Sequence, residues 1–79
     1  MAKDFNSLDL SEKIKYLRKE KNLSQGALSR LSGVSVAEIC RIENGERKNP
    51  SINLLNKLLE GLNVSTEVYL EVTGFNKKN

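Results

Sequence analysis

The sequence predicts an all-α fold, a compact bundle of about five short helices, on three observations. Apolar residues recur at helical spacing in four stretches, 10–21, 24–32, 35–44 and 51–62. A serine or aspartate suited to cap a helix stands at the head of each stretch, and a glycine, asparagine or proline follows each. Strict alternation, the signature of a half-buried strand, occurs only near 67–73.

Residues 1–8 carry no periodic pattern and are expected to form a flexible N-terminal arm. Asp9 and Glu12 have capping-box spacing, and Leu10, Ile14 and Leu17 then recur at i, i+4 and i+7, predicting a helix over 10–21 that Asn22 ends. Ser24 caps the second helix. Leu23 and Leu28 fall at hydrophobic-staple positions, and Ala27, Leu28 and Leu31 are expected on one buried face. Gly33 can take the left-handed conformation that stops a helix, so the chain restarts almost at once. Ser35 and Glu38 make a second capping box, with Val34 and Ile39 at the staple positions. Ile39 and Ile42 keep one apolar stripe on this third helix, which turns Val36, Ala37, Cys40 and Arg41 outward before Gly45 closes it. Pro50 forbids a helix through Asn49. Ser51 then caps a fourth helix whose Ile52, Leu55, Leu58, Leu59 and Leu62 form a wide stripe, with Leu54 beside it, and this segment is expected at the centre of the core. Over 67–73, Val68, Leu70 and Val72 alternate with Glu67, Tyr69 and Glu71 as in a strand, whereas Ser65 with Glu67 reads as a helix start. The tail at 76–79 is expected to be disordered.

Seventy-nine residues suffice for one small domain. The single cysteine, Cys40, excludes an internal disulfide and suits a reducing compartment. No apolar run is long enough for a membrane span or a signal peptide, so a cytoplasmic location is expected. The net charge of +3 is a weak argument for any polyanion partner, but its distribution says more. Lys13 to Arg30 holds six basic residues and one acid, whereas Glu60 to Glu71 holds three acids and no base. There is no histidine, no metal-ligand cluster, no phosphate-cradling glycine loop and no nucleophile with a base at motif spacing. An enzyme is not expected, nor a metal or cofactor.

A short helix, a glycine turn and a second helix with an outward face form a helix-turn-helix, which places its second helix in a DNA major groove. The pieces Leu17-Arg18, Leu23-Ser24-Gln25, Leu28, Gly33-Val34-Ser35, Ile39 and Ile42-Glu43-Asn44-Gly45 resemble, in order and spacing, the Cro/C1-type family, also called XRE or phage-repressor-like. The likeness covers about residues 10–74, and Gly26, Ser29 and Ser32 depart from its usual acidic and small apolar residues. It implies a lambda-repressor-like domain over 9–74, with helices two and three as the helix-turn-helix and a short fifth helix.

The resemblance also implies roles for individual residues. Gln25, Asn44, Arg47 and Lys48 would contact DNA phosphates, with a solvated surface as the alternative. Ser35, Val36, Ala37, Glu38 and Arg41 occupy base-facing positions. Val36 and Ala37 suit thymine methyls and Arg41 a guanine, while Glu38 suits either cytosine N4 or its cap. Arg18 and Glu43 would pair inside the domain. Val68, Tyr69, Leu70, Val72 and Phe75, within 65–75, are candidates for a dimer contact. No residue near Cys40 in sequence activates or resolves it as a redox sensor. The function implied is a sequence-specific transcriptional regulator, a dimeric repressor on a pseudo-palindromic operator in double-stranded DNA. The alternative is a protein-interaction module, an antitoxin or anti-regulator with a regulatory protein partner.

Overall fold

Each helix begins on a side-chain oxygen that accepts from a backbone N–H three residues on. Asp9 accepts from Glu12 at 3.0 Å, Ser24 from Ala27 at 3.0 Å, Ser35 from Glu38 at 3.1 Å, Ser51 from Leu54 at 3.1 Å and Ser65 from Val68 at 3.2 Å. These caps open α1 (Leu10–Glu20), α2 (Gln25–Ser32), α3 (Val36–Glu43), α4 (Ile52–Leu62) and α5 (Thr66–Thr73). The molecule is a computed structural model that describes residues 5–74 of the 79. Among the described residues there is no strand, and the alternation at 67–73 is overridden by the Ser65 cap and by docking of α5 on α4. The predicted all-α bundle of five helices is the fold observed.

α2 packs most extensively on α4, α3 lies against α1 and α2, and α5 covers α4. Ile14, Leu28, Ile39, Ile42, Leu58, Leu59 and Leu62 are fully buried where these elements meet. Removing such side chains from water supplies roughly 1.5–3 kcal/mol each. Four expectations change. Leu31 is 60 % exposed, because on α2 only Leu28 points at the core while Leu31 lies three residues round the helix, off the α4 contact. Ile52 is 40 % exposed at the first, uncovered turn of α4. Val72 is buried in the core, not free for a partner. Residues 5–7 form a 3₁₀ turn, not a loose arm: the Phe5 ring stacks at 53° on Tyr16, centroids 5.8 Å apart, and Lys13 Nζ lies 5.6 Å from the Phe5 centroid. The start of the arm, Phe75 and the 76–79 tail lie outside the described residues.

α2 and α4 approach closely enough that side-chain size decides the contact. A Cβ on Gly61 would sit 2.8 Å from Ser32 Cβ and 3.0 Å from Ser32 Cα. Gly33 ends α2 at φ 78°, so the α2–α3 turn is held between this contact and the buried Val34. Together they fix the angle at which α3 leaves the bundle.

Candidate nucleic-acid interface

α3 is buried on the side carrying Ile39 and Ile42 and open on the other. Ser35, Val36, Ala37, Cys40 and Arg41 are exposed along one continuous face. Beneath it, Arg18 reaches from α1 to Glu43 at the last turn of α3, with Nε at 2.6 Å from Oε2 and Nη2 at 2.9 Å from Oε1. The two side chains are 11 % and 4 % exposed. The arginine's third donor, Nη1, closes on the Leu23 carbonyl at 2.8 Å, so one planar fork joins α1, the α1–α2 turn and α3. Gln25 adds a bond from Nε2 to Glu43 Oε1 at 3.1 Å, a contact that ties the start of α2 into the same network.

Burial pushes the Glu43 carboxyl up, but hydrogen bonds from Arg18 and Gln25 and the charges of Arg18 and Lys15 outweigh it and hold the group below its ordinary value. Arg18 is shifted upward, chiefly by its hydrogen bond to Glu43. The pair's stabilisation is therefore complete above the unfolded carboxyl's titration and is lost as pH falls through the lowered folded value. Acidification below the ordinary carboxylate range, about pH 4.3, is expected to lower the thermal midpoint. Glu43→Gln should flatten that part of the midpoint-against-pH curve, and an unchanged acid limb would contradict this assignment.

Lys15, Lys19, Gln25, Cys40 and Asn44 line one shallow groove above the buried pair. Two of the residues expected at phosphates, Gln25 and Asn44, thus meet two α1 lysines there. Asn44 Oδ1 accepts from the Glu46 N–H at 3.0 Å, which leaves its amide as the group able to donate outward. Motif spacing does not single out Lys15, although the helical repeat stacks it with Lys19 on one face of α1. Lys21 donates to the Asn63 carbonyl at the end of α4, 3.4 Å away, and does not line this groove.

The loop after α3 folds back over its last turn. The Arg41 carbonyl accepts from the Glu46 N–H at 2.9 Å and the Arg47 N–H at 3.1 Å, and this sets Arg47 beside the exposed face. Arg47 and Lys48 are both exposed. Glu38 does not return to the Ser35 backbone as a capping box would require, nor does it point outward toward a base. Its side chain is 16 % exposed, with Oε2 at 2.6 Å from Arg47 Nη2 and Oε1 at 3.4 Å from Arg41 Nη1. The arginines win because two cations lie within reach of one carboxylate.

The α5 residues are spread between core and surface. Val68 and Tyr69 are half-buried against the core, and the Tyr69 hydroxyl bonds Asn56 Oδ1 on α4. Leu70 is half-buried outside that cluster. No group of three or more His, Cys, Asp or Glu side chains that could hold a metal occurs among the described residues. No described helix is long and apolar enough to cross a membrane.

The family model described as Helix-turn-helix matches residues 14–69. The HTH-type transcriptional repressor RghR of Bacillus subtilis (strain 168) is 39 % identical over 64 residues, which cover 81 % of this chain and 47 % of that protein. The HTH-type transcriptional regulator SinR of the same organism is 36 % identical over 62 residues, covering 78 % of this chain and 56 % of that one. The chain thus spans about half the length of these two relatives. A crystal structure of a point mutant of the restriction-modification controller protein C.Esp1396I superposes over 100 % of both chains with a TM-score of 0.73 and 30 % identity. Buried-core spacing, the capped α2–turn–α3 unit and these likenesses agree: the chain belongs to the Cro/C1-type, or XRE, helix-turn-helix family.

Proposed function

We propose that the chain is a sequence-specific transcriptional repressor that binds a pseudo-palindromic operator as a homodimer in the cytoplasm. Residues 9–74 form its DNA-binding domain, and the exposed face of α3 enters the major groove. The observation that carries this reading is the open face of α3, bordered by Lys15 and Lys19 in the groove that Cys40 and Asn44 share and by Arg47, which reaches Glu38. Gln25, Asn44, Arg47 and Lys48 hold phosphates, a term that supplies affinity without sequence information. Ser35, Val36, Ala37 and Arg41 face the bases. Val36 and Ala37 offer only apolar contact, suited to thymine methyls, and Arg41 offers the fork that fits guanine O6 and N7.

Dimerisation through α5, around Leu70, suits the size of the domain. Its extents are 35 × 31 × 24 Å, comparable with the spacing of about 34 Å between the successive major grooves that the two α3 helices of a dimer would enter.

The test is affinity for a selected palindrome and for random duplex across a salt series. A steep loss with salt and a preference for the palindrome are expected; a flat, sequence-blind response would favour the protein-interaction module. Arg41→Ala should remove about 1–3 kcal/mol of discrimination at one base pair. Lys48→Ala should weaken all duplexes alike and reduce the salt slope by about 1. Equal effects of the two variants on every sequence would contradict the division of roles.

A further inference from the structure

We propose that Glu38 is a positioning residue that sets sequence discrimination by holding Arg41 and Arg47, and that its charge penalises binding to the wrong duplex. The inference rests on the DNA-binding reading above. Glu38 stands in the first turn of α3, between the base-facing residues and the loop cations. Its Oε2 is sealed from solvent and touches Arg47 Nη2 at 2.6 Å without the alignment of a hydrogen bond, and Oε1 lies 3.4 Å from Arg41 Nη1. The contact is therefore one of charge, adjustable in angle, and it joins a guanidinium on the reading helix to one in the loop behind it. The loop is itself pinned, since the Arg47 N–H donates to the Arg41 carbonyl at 3.1 Å. Arg41 and Arg47 side chains are still 54 % and 44 % exposed, so each keeps an open edge while one edge is engaged.

Two consequences follow from the physics of guanidinium groups. A free arginine on a flexible stem can reach any passing phosphate, which raises affinity for every sequence equally. One restrained at its inner edge presents its outer edge along a narrow set of directions and loses less freedom when it meets the matching base. Meanwhile the carboxylate adds a negative charge beside the phosphate path, a repulsive element felt wherever the arginines do not have a partner good enough to draw them off it.

The experiment is a parallel selection from a random duplex pool by the full chain, Glu38→Gln and Glu38→Asp, followed by salt-series affinities for the winning and random duplexes. Thermal unfolding of each variant confirms the fold. Glu38→Gln is expected to bind random duplex more tightly, with a salt slope steeper by about 0.9 for each additional phosphate neutralised, and to lose about tenfold or more of the preference for the selected site. Glu38→Asp keeps the charge but lacks the length to span both arginines. It should keep weak binding to random duplex and still lose preference at the base pair that Arg41 reads. If both variants select the same site as the parent with the same preference, the Glu38 proposal is wrong and the DNA-binding reading stands. If Glu38→Asp matches the parent while Glu38→Gln does not, charge alone acts and the positioning role is overturned. If the parent selects no site, the DNA-binding reading itself fails and takes this inference with it.

Discussion

Replacing Arg18 with alanine should destabilise the domain by about 3 kcal/mol, the low end of the 3–5 kcal/mol typical of breaking a buried pair from one side. The reason is what stays behind. Glu43, with a side chain only 4 % exposed, would keep a single side-chain donor, Gln25 Nε2 at 3.1 Å, and the Leu23 carbonyl would lose its 2.8 Å partner. For a domain of this size each kcal/mol moves the thermal midpoint by about 4–8 °C, so a fall of at least about 12 °C is expected in a thermal melt. Arg18→Lys should recover little, because a single ammonium cannot reproduce the fork that serves two carboxylate oxygens and a carbonyl at once. Duplex affinity should fall beyond what unfolding explains, since the pair fixes the end of α3 from which Asn44 and Arg47 depart. A change below about 1 kcal/mol, the range of exposed pairs, would mean that solvent reaches the pair and that it does not hold α3.

Gly61→Ala carries the second large effect. The added methyl would meet Ser32 Cβ at 2.8 Å and the Ser32 backbone nitrogen at 3.0 Å, and backbone cannot yield as the end of a long side chain can. Overpacking of this kind costs about 1–3 kcal/mol, here directed at the α2–α4 contact that sets the turn before α3. Gly26→Ala is the contrasting case. Its new Cβ would find Arg30 Nη1 at 3.7 Å and Ser24 Oγ at 3.8 Å, ordinary contact distances, and helix propensity then favours alanine by up to about 1 kcal/mol. Chemical denaturation of the two variants should move the midpoint in opposite directions. A stabilised Gly61→Ala would show that α2 and α4 can separate freely.

Whereas at Ser65 the capping signal competes with strand alternation, the starts of α1 to α4 are legible in the sequence, because a capping serine or aspartate acts on residues three positions away and needs no tertiary information. The same holds for the stops at Asn22, Gly33 and Asn63, two of which are asparagines at positive φ, 59° and 54°. What periodicity cannot decide is which of several apolar residues a short helix buries. On an eight-residue helix the core touches barely one stripe, so Leu28 is buried and Leu31 is not. The roles of Gly61, Lys15 and Glu38 are hidden for another reason. Each depends on a neighbour brought close by the fold: Gly61 on Ser32, Lys15 on the groove beneath Cys40, and Glu38 on Arg47, nine positions along the chain. The Arg18 and Glu43 positions can be named from family resemblance, but the additional hold of Gln25 on Glu43 is visible only in the assembled network.

Cys40 offers the most direct probe of how α3 is used, since it is the sole cysteine and is exposed among Lys15, Lys19 and Asn44 on the face assigned to the groove. Its alkylation rate should be measured on the full chain alone, with saturating selected duplex, and with an equal charge concentration of a sulfated polysaccharide. Insertion of α3 between the strands predicts that the duplex slows alkylation by about tenfold or more, as expected of a side chain sealed in a tight interface, while the polysaccharide has little effect. An unchanged rate at saturating duplex would contradict the account, because DNA would then be bound by some other surface.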